Sequence, residues 1–193
     1  MKRLLLIVIT IICCYSSVAF SATFEEIKMA AEQGDAKAQV TLGFLYEKGR
    51  GVRQNYQKAR EWYEKAAVQG LPEAQMNLGI LYNQGRGVRQ DYQKAGEWYE
   101  KAAAQGLPEA QLNLGILYDQ GLGVQQDYQK ARECYEKAAA QGFAGAQACL
   151  GILYDQGHGV RKNLATAKDW FGKACDNGNQ TGCDYYARLN SSR

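Results

Sequence analysis

The chain has one histidine, His158, and from residue 22 onward its only serines are Ser191 and Ser192 at the tail. Each scarcity removes a chemistry. The missing serines rule out an S-x-x-K nucleophile and argue against a serine triad. One imidazole and no H-E-x-x-H leave no zinc site of the familiar kinds. Charge of one sign is also scarce. The formal charge is +3 and falls to +1 once Lys2 and Arg3 leave with an acid-free leader at residues 1–21. That is not the concentrated basic field on which nucleic-acid affinity rests. No Pro-rich or Ser-rich linker interrupts the chain, so residues 23–190 are expected to form one domain.

The first 21 residues read as a secretory signal peptide. Lys2 and Arg3 precede an apolar run from Leu4 to Cys14, with small residues at Ala19 and Ser21. The run is too short for a membrane span, and cleavage is expected after Ser21. Lipoprotein processing at Cys13 or Cys14 is disfavoured, because Ile12 and Cys13 stand where a small residue is needed. Export would take Cys134, Cys149, Cys175 and Cys183 into an oxidising compartment that allows disulfides.

What the sequence has in abundance is repetition. LGFLYEKGRGV starts at Leu42, and its relatives start at Leu78, Leu114 and Leu150, each 36 residues after the last. Units 72–107 and 108–143 differ at only seven positions. His158 occupies the place of Arg50, Arg86 and Leu122, so it carries no chemistry shared by the units.

Each unit, 36–71, 72–107, 108–143 and 144–179, reads as two helices. In the first, Ala74, Leu78, Leu81 and Tyr82 make one helical stripe. A mid-helix glycine (Gly43, Gly79, Gly115, Gly151) costs about 1 kcal/mol relative to alanine, so its return in every unit predicts a close helix crossing. Gly85 is the expected left-handed stop. Asn55, Asp91, Asp127 and Asn163 are the expected N-caps of the second helices, with Ala95, Trp98, Tyr99 and Ala102 as a buried stripe. Glu61 and Lys65, with Glu97 and Lys101, Glu133 and Lys137, and Asp169 and Lys173, predict i,i+4 ion pairs on an outer face. A lone hairpin cannot bury both stripes, whereas four stacked in order share one core. Residues 23–35 and 180–190 are expected to be capping helices.

These residues, LGxxYxxGxGV followed by KAxxWYxKAA, resemble the Sel1-like repeat, a relative of the tetratricopeptide repeat. The resemblance implies an all-α, right-handed solenoid that acts as an adaptor for a protein or peptide partner, without catalytic residues or cofactor. The run ACDNGNQTGC is similar to the helix-bridging pair of the secreted Helicobacter cysteine-rich proteins, which implies a disulfide between Cys175 and Cys183. The matching positions Ala67 and Gln75, Ala103 and Gln111, and Ala139 and Gln147 hold no sulfur, so those units are expected to be held by packing alone. Cys134 and Cys149 are read either as free thiols or as a second disulfide. The same likeness raises an alternative activity, penicillin binding or slow hydrolysis, for which the residues offer no nucleophile with an activating base.

A partner would meet the polar stripe of the first helices. Thr41, Lys48, Asn77, Gln84, Asn113, Gln120, Cys149 and Gln156 recur at equivalent positions, and stacking would align them along a concave face where amides serve an extended peptide backbone. The arginines of the loop rim (Arg50, Arg53, Arg86, Arg89, Arg161, with Lys162) offer a second surface for an acidic partner or anionic glycan. Leu122 and Gln125 interrupt that rim, which favours a solvating role.

Overall fold

A computed structural model describes residues 24–191, and the signal-peptide segment lies outside the described residues. Everything described is helix or short loop. Helix α1 (24–32) leads into α2 (Ala36–Lys48), α3 (Tyr56–Val68), α4 (Pro72–Gln84), α5 (Tyr92–Ala104) and α6 (Pro108–Gln120). Then follow α7 (Tyr128–Ala140), α8 (Ala144–Gln156), α9 (Leu164–Asp176) and α10 (Gln180–Ser191). Each helix packs on its sequence neighbours, tightest within a hairpin (α2 on α3, α4 on α5, α6 on α7, α8 on α9). This is an all-α solenoid, with α1 and α10 covering its two ends.

The helix ends follow from local chemistry. The side chains of Asn55, Asp91, Asp127 and Asn163 accept from backbone N–H groups in the first turns of α3, α5, α7 and α9. Those donors have no partner within the helix, so the cap satisfies them. Pro72 and Pro108 open α4 and α6, where a missing N–H costs nothing. Gly49, Gly85, Gly121 and Gly157 end the even helices with φ between 67° and 82°, a conformation that penalises any side chain with a Cβ.

The crossing glycines are explained by the ring above them. A Cβ added at Gly43 or Gly115 would come within 2.7 Å of the ring of Tyr63 or Tyr135, and one at Gly151 within 2.6 Å of Phe171. Tyr99 covers Gly79 in the same way. These four aromatics are the largest fully buried side chains, so the absent methyl is what lets each hairpin close. Around them pack Leu42, Leu78, Leu114 and Leu150 and the paired alanines of the odd helices, such as Ala95 and Ala102.

Two expectations are corrected here. Trp98 is only half-buried, and Lys101 Nζ sits 4.1 Å from the centre of its ring. Lys65 on Trp62 and Lys173 on Trp170 do the same, at 3.9 and 4.3 Å. These lysines are drawn to the indole face three residues away, and the anticipated pairs with Glu61, Glu97 and Asp169 do not form; Glu133 and Lys137, beside Cys134 in place of the tryptophan, do not pair either. The i,i+4 ion pairs that do form join Arg60 to Glu64 and Arg132 to Glu136.

Packing alone does not hold the repeats either. Gln39, Gln75, Gln111 and Gln147 are buried, and each side-chain amide donates to a carbonyl eight residues back: Ala31, Ala67, Ala103 and Ala139, at 3.1–3.4 Å. Each side-chain oxygen in turn accepts from Gln69, Gln105, Gln141 or Asn177, at 2.8–3.1 Å. Gln69, Gln105 and Gln141 also donate to the backbone oxygens of Gly34, Gly70 and Gly106, at 2.8–3.1 Å. A polar clamp therefore crosses every junction between repeats. Buried amides are tolerated because their donors and acceptors are met.

Candidate binding surfaces

The last junction replaces this clamp with a covalent bond. Cys175 and Cys183 form a disulfide with a Cα–Cα distance of 4.5 Å. Cys183 occupies the register of Gln147 and Cys175 that of Ala139, so sulfur does in the terminal unit what an amide does in the others. The cysteines at 134 and 149 are free and half-buried.

The eight residues of the polar stripe sit at equivalent places on α2, α4, α6 and α8, but their environments split in two. Lys48, Gln84, Gln120 and Gln156, in the last turns, are exposed. Lys48 lies over the ring of Phe44 and pairs with Glu47. Among the other four, Thr41 is exposed and its hydroxyl donates to Lys37 O at 2.9 Å. Asn77, Asn113 and Cys149 are half-buried. Asn113 Nδ2 lies 3.7 Å from Met76 Sδ on the preceding even helix. Cys149 is hydrogen-bonded to the hydroxyl of Tyr135.

The two free thiols are not activated. Burial pushes the Cys149 thiol up to about 11, and neighbouring Asp119 pushes the same way. Burial likewise raises Cys134 to about 11. A nucleophilic cysteine needs the opposite setting. Asp119 is itself raised by burial, against the opposing influence of His158 and Tyr135. His158 is stacked on Tyr128, with ring centres 4.5 Å apart. Arg86 covers Tyr56 in the preceding repeat, at 5.5 Å, so this loop position packs one repeat on the one before it. Among the described residues, no three metal-ligating side chains come together.

The loop rim borders a set of crevices. One lies beside Tyr46 and Arg53 with a volume of about 310 Å³, a second beside Tyr82 and Arg89 of about 540 Å³, and a third beside Tyr154 and Arg161 of about 700 Å³. The residues that sequence reasoning missed are the clamp glutamines. Their signal was present as a glutamine after an alanine near the start of each unit, but only burial distinguishes it from a solvated glutamine.

A solenoid of paired helices on a 36-residue period, with glycine-crossed hairpins, defines the class, and the comparisons with known proteins agree. The Sel1 repeat family model matches residues 36–71, 72–107, 108–143 and 144–179, and the chain belongs to that family. The structure is similar to c5321, a protective antigen of uropathogenic Escherichia coli with an SLR fold, at 39% identity and TM-score 0.84. That match covers 87% of this chain and 36% of c5321, so the chain spans little more than a third of that protein. A Sel1 repeat protein from Oxalobacter formigenes is 34% identical with TM-score 0.83, over 93% of this chain and 72% of its own. Cysteine rich protein B of Helicobacter pylori is 28% identical with TM-score 0.54, over 70% of this chain and 98% of its own. No curated protein matches the chain.

Proposed function

We propose that this Sel1-repeat protein is an exported, non-catalytic scaffold that holds a protein or peptide partner along the even helices. The observation that carries the reading is the junction clamp: glutamine amides bonded to carbonyls of the preceding unit tie each repeat to the one before it, and a disulfide ties the last repeat to α10. A surface fixed in this way is preorganised, so a partner loses little free energy to ordering it. Gln84, Gln120 and Gln156 are the exposed amides of the row and supply the contacts to the partner backbone, while Thr41, Lys48, Asn77, Asn113 and Cys149 shape the surface beside them. The raised thiols and stacked histidine supply no activated nucleophile, and the penicillin-directed alternative gains no support from them.

Export rests on the leader at residues 1–21 and on the Cys175–Cys183 bond, which persists in an oxidising compartment. The partner then resides in the periplasm or beyond the cell. Among the described residues no helix is long and apolar enough to cross a membrane.

The test uses a photo-crosslinking residue at position 120 in living cells, followed by mass spectrometry of what is captured. The purified partner is then titrated against the parent and the Gln84→Ala, Gln120→Ala double variant. Weaker capture at unchanged melting temperature is expected. Equal affinity in both proteins would place the contact elsewhere.

A further inference from the structure

The three rim crevices share a plan but not a chemistry. Each lies between the last turn of an even helix and the loop that opens the next odd helix. In the first two repeats this loop is locked by a glutamine. Gln54 donates to Glu47 O and the Tyr56 hydroxyl, and Gln90 to Asn83 O and the Tyr92 hydroxyl, at 2.8–3.1 Å. The third repeat repeats the lock with Gln126, Asp119 O and Tyr128. In the fourth repeat both halves are gone: Lys162 replaces the glutamine and Leu164 replaces the tyrosine. That crevice, at about 700 Å³, is the largest of the three.

Its lining carries three cations, Arg132, Arg161 and Lys162, and no carboxylate. The cap residue there is neutral Asn163, where the second repeat places Asp91, whose carboxylate lies 4.0 Å from Lys94. The first repeat also has a neutral cap, Asn55, but Lys58 lies over the Tyr46 ring and the lock is intact. Arg132 reaches the crevice from α7 of the preceding repeat. Its counterpart Arg60 donates to Glu64 at 2.7 Å and lines no rim crevice. Arg132 Nε stands 3.6 Å from Glu136 Oε1, an ion pair too long for a hydrogen bond, so this buried nitrogen has no hydrogen-bond partner. The Arg60 Nε shares that condition, so what sets Arg132 apart is the crevice that it lines together with Arg161 and Lys162.

We propose that the crevice between α7 and the α8–α9 loop binds a phosphate-type oxyanion, either free or carried on a small sugar. Guanidinium groups present a planar fork of donors to such an anion, and Lys162 adds a point charge. Tyr154, Val160 and Leu164 give one wall an apolar surface that the carrier can cover. None of its lining residues belongs to the partner row on the even helices.

The full chain is titrated with inorganic phosphate, glucose 6-phosphate and glucose, following backbone amide shifts of residues 160–164 and the heat of binding. One or both phosphates bind there and glucose does not. Inorganic phosphate binding as well as the sugar phosphate identifies the anion as sufficient; binding of the sugar phosphate alone identifies the carrier as part of the ligand. K162Q and N163D install the residues of the earlier repeats at the same places, so they keep the loop and cap while removing positive or adding negative charge. Each weakens binding by about tenfold or more, while R89Q at the second crevice leaves it unchanged. No shift at residues 160–164 with either phosphate up to about 10 mM, or unaltered affinity in both K162Q and N163D, would overturn the proposal.

Discussion

Two glycine-to-alanine substitutions should have opposite effects on stability. Both Gly115 and Gly96 lie inside helices and are buried, so alanine at either place recovers about 0.8–1.0 kcal/mol of helix propensity. At Gly96 the added Cβ meets only Leu117 Cδ1 at 3.4 Å, which is ordinary contact. The full gain is expected, and G96A is more stable than the parent. At Gly115 the added Cβ falls 2.5 Å from Tyr135 Cε1, 2.7 Å from Cδ1 and 3.2 Å from Cys134 Cβ. The ring must retreat by about an ångström, and it is fully buried with its hydroxyl engaged by Asp119 and Cys149. Overpacking costs about 1–3 kcal/mol, and a ring held on all sides puts this site in the upper part of that range, about 2–3 kcal/mol, so G115A loses about 1–2 kcal/mol net. The two variants then differ by about 2–3 kcal/mol, although their propensity gains are equal. Urea denaturation followed by circular dichroism reads the difference, with midpoints expected on opposite sides of the parent's. Equal midpoints for G115A and G96A would refute the claim that ring contact, not backbone freedom, demands glycine at the crossing.

Removing the junction clamp is also measurable. Gln111→Ala deletes the bonds to Ala103 O and from Gln141 and leaves a small cavity, at a cost of about 2–3 kcal/mol; Gln120→Ala on the exposed face changes stability by less than about 0.5 kcal/mol. Equal effects would deny the clamp its role. Reducing the Cys175–Cys183 bond, whose partners are eight residues apart, removes about 2.5 kcal/mol in the chain-entropy model. Hydrogen exchange should quicken first in α10, and unchanged protection there contradicts this. With their thiols pushed up to about 11, Cys134 and Cys149 should react with iodoacetamide at pH 8 about a hundredfold more slowly than an unhindered cysteine. The same shift has a sign for stability. Above the ordinary thiol range, about 8.5, the unfolded chain releases protons that the folded chain keeps. Melting temperature therefore falls as pH rises from about 8.5 toward 11, and a flat profile over that window argues against it.

Much of the fold was legible because its cause is periodic. A glycine every 36 residues inside an apolar stripe, a cap residue before each second helix and a glycine after each first helix are local signals, fixed by backbone sterics and hydrogen-bond satisfaction. The Cys175–Cys183 pairing was legible only through likeness to relatives that carry the same pair. The glutamine clamp was not legible, because Gln75 and Gln84 look alike as letters. One is buried against the end of α3 and the other faces solvent, and that difference exists only once repeats are stacked. The lysines of the outer face show the same limit, since i,i+4 spacing offered Lys65 a carboxylate while the folded surface offered it an indole.

The repeating sequence by itself determined the helices, their ends and the one-dimensional order of the repeats, since all three arise from interactions within some forty residues. The tertiary structure decided what holds neighbouring repeats together and where an open cationic crevice remains. Those features depend on residues of neighbouring units meeting across a junction, Gln105 and Gly70 for example at a separation of 35 positions, and no local pattern of side chains encodes which of them will be shielded from water.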